Sequence, residues 1–460
     1  MSNPKTIDNP AATVHKQLII GAGFVGLGIA QALKEAGIAY DQVDASDALG
    51  GNWHHGVYET AHIISSRKVT EFSCFPMPES YPDFPSRENM RDYIRSFADH
   101  FDLRSHIELN RQVNNVLPIK DNLWQVSFKN GEQRLYQGVV MCNGHHWCKR
   151  FPQFDGDFAG DIIHSKDYKK PQQLQGKKVL VIGGGNSACD IASEAARVGA
   201  KCTLSMRDSV WFIPKTFMGV PVADLGKQSK GKSPAWYQRL TTYILIRLTF
   251  GEHKTYGMPR PQHRIYDKHP TINNEVPYYI KHGRITYKPE VHRLDGKQVE
   301  FVDGSRAEFD LIVCATGYYV AYPFLPPKLQ RVKGSVVQCY GDSFLDDYKG
   351  LAYIGWYQPR SGIGSVIGAF APLFARYLKL QAEINIPVGL VLKEMGQKHR
   401  QTHLVDPQDI YQAVAQAEQN FERIVQKAHQ IEAKYPNFCN QPIESSDFSS
   451  KSENDAVPSF

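Results

Sequence analysis

KQLIIGAGFVGLGIAQALKEAGI, residues 16–38, is the stretch on which the fold turns. The apolar run LII meets Gly21-x-Gly23-x-x-Gly26 and continues as an apolar helical pattern that stops at Gly37. That order reads as buried strand, tight turn and helix. Gly21 permits the sharp turn, Gly23 lets backbone approach a pyrophosphate, and Gly26 lets the helix sit close to the strand. The helix N-terminus then offers free N–H groups and a positive dipole end to phosphates. The next strand, AYDQVD, ends in Asp44, at the spacing expected for a carboxylate on a ribose hydroxyl. A carboxylate there repels a 2′-phosphate, which suits FAD or NAD(H) and disfavours NADP(H).

LGGNWHHGVYET follows. Gly50 and Gly51 permit close backbone approach, and Asn52 and Trp53 are placed to flank a planar ring system. His54 and His55 form an adjacent pair, but neighbours in an extended segment point to opposite sides. With no third ligand at convincing spacing, no metal site is expected.

GKKVLVIGGGNSACDIASEAARVGAKCTLSMRDS repeats the unit. A strand leads into Gly183-x-Gly185-x-x-Ala188, and Asn186 and Ser187 open the helix. The following strand carries no acid at the ribose position; it offers Ser205, Arg207 and, further on, Lys215. A guanidinium grips a phosphate bidentately, so this site suits the 2′-phosphate of NADPH. One acidic and one basic unit together point to FAD in the first and NADPH in the second, and hence to hydride transfer between them.

Two further apolar runs stop at glycine: QGVVMCNGHHW ends in Asn143-Gly144 and EFDLIVCATGYY in Thr316-Gly317. Each places a cofactor-facing turn at the carboxyl end of a parallel strand. The expected fold is α/β, with two Rossmann-like dinucleotide-binding domains. The expected layout is a discontinuous FAD domain, residues 14–165 and 306–430, with an NADPH domain, 166–305, inserted. Residues 218–290 read as lid or channel loops, and 436–460, rich in Ser, Asp and Glu, as a disordered tail.

The 460 residues suffice for two or three domains, and 42% apolar and 22% charged residues describe a soluble globular chain. A net charge of +6 without a Lys/Arg run argues against a nucleic-acid partner. Eight cysteines without a CxxC pair argue against a zinc ribbon or dithiol centre and for reduced thiols in the cytoplasm. The polar N-terminus has no signal-peptide core. TTYILIRLTF, 241–250, is too short to span a bilayer and is broken by Arg247. It reads as a helix on the body or over the substrate entrance, with shallow membrane contact left open. The oligomeric state is not legible.

FAGDIIHSKDYKK, 158–170, lies between the two Gly-rich loops. With GAGFVG, GGNW, FPMPESYPDFPS, GGGNSA, HPTIN and CATGY, in this order, it makes the chain resemble the flavin-containing monooxygenases of the class B flavoprotein monooxygenases. The likeness covers most of the sequence. It implies an enzyme in which NADPH reduces FAD and O₂ gives a C4a-hydroperoxyflavin. That species transfers one oxygen to a soft nucleophile, a small N- or S-containing molecule. Tyr168 stands where the Baeyer–Villiger relatives usually carry Trp, which favours heteroatom oxygenation over ketone oxidation. The family's flavin-side Asn is replaced by Ile64, so Ser65, Ser66 or bound NADP⁺ itself would have to compensate. His164 of the signature is expected to hold the two domains in register, with direct proton chemistry as the alternative. Baeyer–Villiger or decarboxylating oxygenation, an uncoupled NADPH oxidase and a non-catalytic flavoprotein sensor are the competing readings.

Overall fold

The structure is a computed structural model that describes residues 15–225 and 233–444. Two five-stranded parallel sheets form its frame. In the first, the central strand β1 (Gln17–Ile20) runs through the turn into α1 (Phe24–Glu35), and the chain returns as β2 (Tyr40–Val43) beside it. Ile107–Glu108 lies beyond β2, while Gly138–Met141 and Leu351–Tyr353 lie on the other side of β1.

The second sheet repeats the plan. β3 (Lys178–Ile182) is central, α2 (Asn186–Arg197) follows its turn, and β4 (Lys201–Ser205) returns alongside. Ile285–Lys288 lies beyond β4, and Leu311–Cys314 and Asp161–His164 lie on the far side. Both Gly-rich turns therefore sit where the strand order reverses, the point at which open parallel sheets bind ligands.

α1 is buried along most of its length because it is covered by the long helix Gly364–Glu383. A methyl on Gly28 would meet Ile367 and Phe72 at 2.7 and 2.9 Å, and Phe24 stacks on Phe72 at 4.1 Å. This interface is dry and close-packed, so it fixes the tilt of the helix whose N-terminus faces the site.

Three expectations on layout change. Leu311–Cys314 and Asp161–His164 both belong to the second sheet, so the crossover does not fall at 165 and 306. It falls where Cys148–Lys149 and Tyr318–Tyr319 pair antiparallel, the two connectors running side by side. Residues 218–290 are not simply loops: they include α3 (Ala235–Phe250) and the sheet strand Ile285–Lys288. α3 packs through Ile246 on Trp211 and Ile213, and exposes Trp236, Leu240, Ile244 and Leu248. The first residues of the expected tail are also packed. Asn440 is buried, accepts from Lys349 N at 2.7 Å and donates to its carbonyl at 2.9 Å, and Ile443 is buried beside it. The rest of that tail, from 445, lies outside the described residues.

Candidate active site

One cleft of about 1930 Å³ runs between the two sheets, and both Gly-rich turns open into it. Most of the residues singled out from the sequence line it; Gly26, His54, Ser66, His164, Tyr168, Ala188 and Lys215 do not.

Each turn has the shape of a phosphate cradle. Gly21 has φ +111°, and a methyl there would lie 2.4 Å from Cys142 O. Gly183 repeats this, with φ +138° and Ala315 O at 2.3 Å. Gly26 faces inward instead: its methyl would meet Gly21 O at 2.1 Å, so it serves helix–strand packing and not contact with the ligand. A methyl on Gly185 would meet nothing within 4 Å, which leaves room for a ligand at the start of α2. Neither α1 nor α2 carries an acid in its first turn, so both helix ends stay favourable to an anion.

The second members of the two units differ as their chemistry requires. Asp44 accepts from Ala22 N at 2.6 Å and Ser46 N at 2.8 Å, which aims the carboxylate at the cleft wall with lone pairs to spare for ribose hydroxyls. Arg207 is exposed at the opposite end and makes no ion pair among the described residues. Lys268 lines the cleft as well, held at 2.7 Å by Asp208. Ser205 is less free than expected, because its hydroxyl donates to Pro289 O at 2.6 Å. A diphosphate with a bare ribose fits the first cradle, and one with an added phosphate fits the second.

Several predicted contacts serve the loops around these cradles. Asn52 donates to His146 O at 3.1 Å, Asn143 to Ala321 O at 3.1 Å, and Asn186 to Pro270 O at 3.0 Å. Asn186 also accepts from Ile272 N, so the HPTIN segment is tied to the start of α2. Thr316 donates to Arg150 O at 2.5 Å and Gly317 O accepts from Arg150 N, which pins the two connectors together.

The candidate catalytic residues separate. Ser65 lines the cleft and shares a 2.7 Å hydrogen bond with Thr70, next to Ile64. Ser66 is buried away from it and donates to Asp224. His164 is fully buried in the second sheet, where Nε2 donates to Gly317 O at 3.0 Å and Nδ1 accepts from Lys166 N at 3.1 Å. Both ring nitrogens are engaged and burial holds the imidazole below its ordinary pKa. Proton chemistry at His164 would break one of these bonds. Tyr168 donates to Glu194 within the second domain.

His54 and His55 depart from the sequence argument. Residues 51–53 form a 3₁₀ turn and not an extended run, so both Nε2 atoms reach Asp47 Oδ1, at 3.2 and 2.7 Å. Arg95 lies 3.3 Å from His54 Nδ1, a fixed cation already facing this trio.

A histidine cluster escaped the sequence reading. His145 and His146 follow the strand Gly138–Met141, His269 comes from HPTIN, and His403 packs edge-on to His145 with centroids 5.0 Å apart. Burial lowers His269 to about 4, whereas His146 is exposed beside it. His145 is held well below its ordinary value, by burial first and then by His146. The cleft wall is therefore lined by neutral imidazoles. The His-His pair in NGHHW was the one available signal; His403 had none.

A parallel-sheet flavoprotein with an inserted nicotinamide-nucleotide domain is the class that this fold and cleft define. Residues 14–437 match the family model described as "Flavin-binding monooxygenase-like". The chain is 31% identical over 417 residues to human "Flavin-containing monooxygenase 5", covering 83% of this chain and 78% of that protein. Among solved structures, a flavin-containing monooxygenase from Stenotrophomonas maltophilia superposes with TM-score 0.61 at 20% identity, covering 80% of this chain and 99% of that one. A steroid monooxygenase bound to NADP gives 0.62 at 16%, covering 84% and 86%. The chain belongs to the flavin-binding monooxygenase-like family. It is an NADPH-dependent flavin monooxygenase, with FAD and NADPH as cofactors and a small molecule and O₂ as reactants. Among the described residues no helix is long and apolar enough to cross a membrane.

Proposed function

We propose that this enzyme oxygenates a soft nucleophile, a small nitrogen- or sulfur-containing molecule, with electrons from NADPH. The observation that carries the reading is the pair of unlike cradles on one cleft, with Asp44 at one ribose position and Arg207 at the other. Bound flavin and nicotinamide supply the hydride transfer and the reaction with O₂. The chain's own residues have the remaining tasks. The turn at Gly21 and the start of α1 hold the FAD diphosphate, with Asp44 on its ribose. The turn at Gly183, the start of α2 and Arg207 hold NADPH. His145 and His269, kept neutral by burial, line the wall without adding charge. The Ser65–Thr70 hydroxyl pair is the polar group beside Ile64. Eight unpaired cysteines support a cytoplasmic setting.

A second reading, an NADPH oxidase that releases hydrogen peroxide, is favoured by Ile64, which cannot donate a hydrogen bond where the family has Asn. One experiment decides between them. The yellow protein should bleach with NADPH under argon. On readmitting air with amines, sulfides and ketones in turn, oxygenated product should account for most NADPH consumed with an amine or sulfide. Stoichiometric peroxide with every compound would select the oxidase, and product from ketones alone would select Baeyer–Villiger chemistry.

A further inference from the structure

Residues 58–66 belong to the FAD side of the chain, yet their polar side chains reach into the second domain. Tyr58 OH donates to Asp190 Oδ2 at 2.7 Å. Thr60 donates to Glu194, Lys215 Nζ donates to His62 Nε2 at 2.6 Å, and Ser66 donates to Asp224. The same stretch lines the cleft, through Tyr58, Ala61 and His62 as well as Ile63, Ile64 and Ser65.

Asp190 and Glu194 stand one turn apart on the same face of α2, 7% and 3% exposed. No Lys or Arg pairs with either carboxylate among the described residues. They are satisfied by neutral donors: Tyr58 and Asn273 (3.3 Å) for Asp190, Thr60 and Tyr168 for Glu194. Hydrogen bonds to ionised acceptors are short and about twice as strong as neutral ones. A buried carboxylate that loses a donor also keeps its full desolvation cost. Burial, then the charge of Asp190, keeps the Tyr58 phenol protonated and so always a donor.

We infer that Tyr58 and Thr60 are positioning residues: they lock the cleft wall at Ile63–Ser65 to the nucleotide-binding helix α2, and so set the distance between the two cofactor sites. This rests on the functional reading above. α2 carries the nicotinamide nucleotide on its N-terminus, and the wall it grips bounds the flavin side. Hydride transfer needs the reacting atoms about 3–3.5 Å apart, and an error of about 1 Å costs about 100-fold. The lock lies on a stretch that touches both partners. His164, in contrast, bonds only within the second domain and its exit.

The test compares Tyr58→Phe/Thr60→Val with Tyr168→Phe in the FAD-loaded enzyme. Tyr168 donates to the same Glu194 from within the second domain, so its loss destabilises without unlocking. Two quantities are read: amide exchange of residues 58–66, and the limiting rate of anaerobic flavin reduction set against the NADP⁺ dissociation constant. The double variant should exchange this stretch about 10-fold faster or more, and reduction should slow about 10- to 100-fold with NADP⁺ affinity within about 3-fold. Tyr168→Phe should lower Tm yet keep the reduction rate within about 2-fold. Wild-type reduction in the double variant, or an equal loss in Tyr168→Phe, overturns the inference. If the double variant is poorly folded, Tyr58→Phe alone is read the same way. If NADPH fails to bleach the wild-type flavin, the functional reading falls, and unchanged exchange in the double variant would separately refute the lock.

Discussion

Arg207 and Ile64 are the two residues whose chemistry separates this enzyme's options. Arg207 is exposed at the cleft and makes no ion pair among the described residues, so its guanidinium is available for a 2′-phosphate. A charge-assisted contact of this kind is worth about 1.5–3 kcal/mol. Arg207→Ala should therefore raise KM for NADPH about 10- to 100-fold and leave KM for NADH nearly unchanged; steady-state assays with both nucleotides check it. Equal changes would remove the phosphate role. Ile64 is a smaller side-chain decision with a larger chemical consequence, since it brings no polar atom to the flavin side of the cleft. Ile64→Asn should lower the fraction of consumed NADPH that appears as hydrogen peroxide, read by a peroxide-coupled assay under air. An unchanged fraction would mean that Ser65 and Thr70 already fill the role.

Strand–turn–helix units carry the cofactors, and the fine spacing in them is steric. In the first unit Gly26 has no room for a methyl, with Gly21 O at 2.1 Å, whereas the second unit accommodates Ala188 at the matching position. Gly26→Ala should push α1 off β1 and empty the FAD site, read as loss of yellow colour in the purified protein at a soluble yield; retained flavin would show that the helix can shift without cost. These units were legible because strand, turn and helix are encoded within about 30 residues. Elements of the insert were harder to see. Ile285–Lys288 has no long apolar run, and only pairing with β4 makes it a strand. Leu311–Cys314 reads as a buried strand, but its residues do not say which sheet it joins, since any parallel strand buried on both faces reads as LIVC does.

Across the whole molecule, stability should follow the histidines that the cleft buries. His269 is lowered to about 4 and His145 is held well below the ordinary value near 6.5, both chiefly by burial. The unfolded chain therefore binds more protons than the folded one between those limits, so stability rises with pH through that window. It should be full above about pH 6.5, fall as pH drops towards about 4, and lose at most about 1.4 kcal/mol per pH unit for each group. Urea unfolding across this range checks it, and a flat profile would mean that these imidazoles titrate normally. The sequence by itself determined the two cradles, the acid–base contrast between Asp44 and Arg207, and the family, because each depends on residues close along the chain. Only the tertiary structure decided where the domains change over, which histidines meet, and that Tyr58 reaches Asp190. Those last two residues are 132 positions apart, and no local pattern records a contact made by packing one sheet against another.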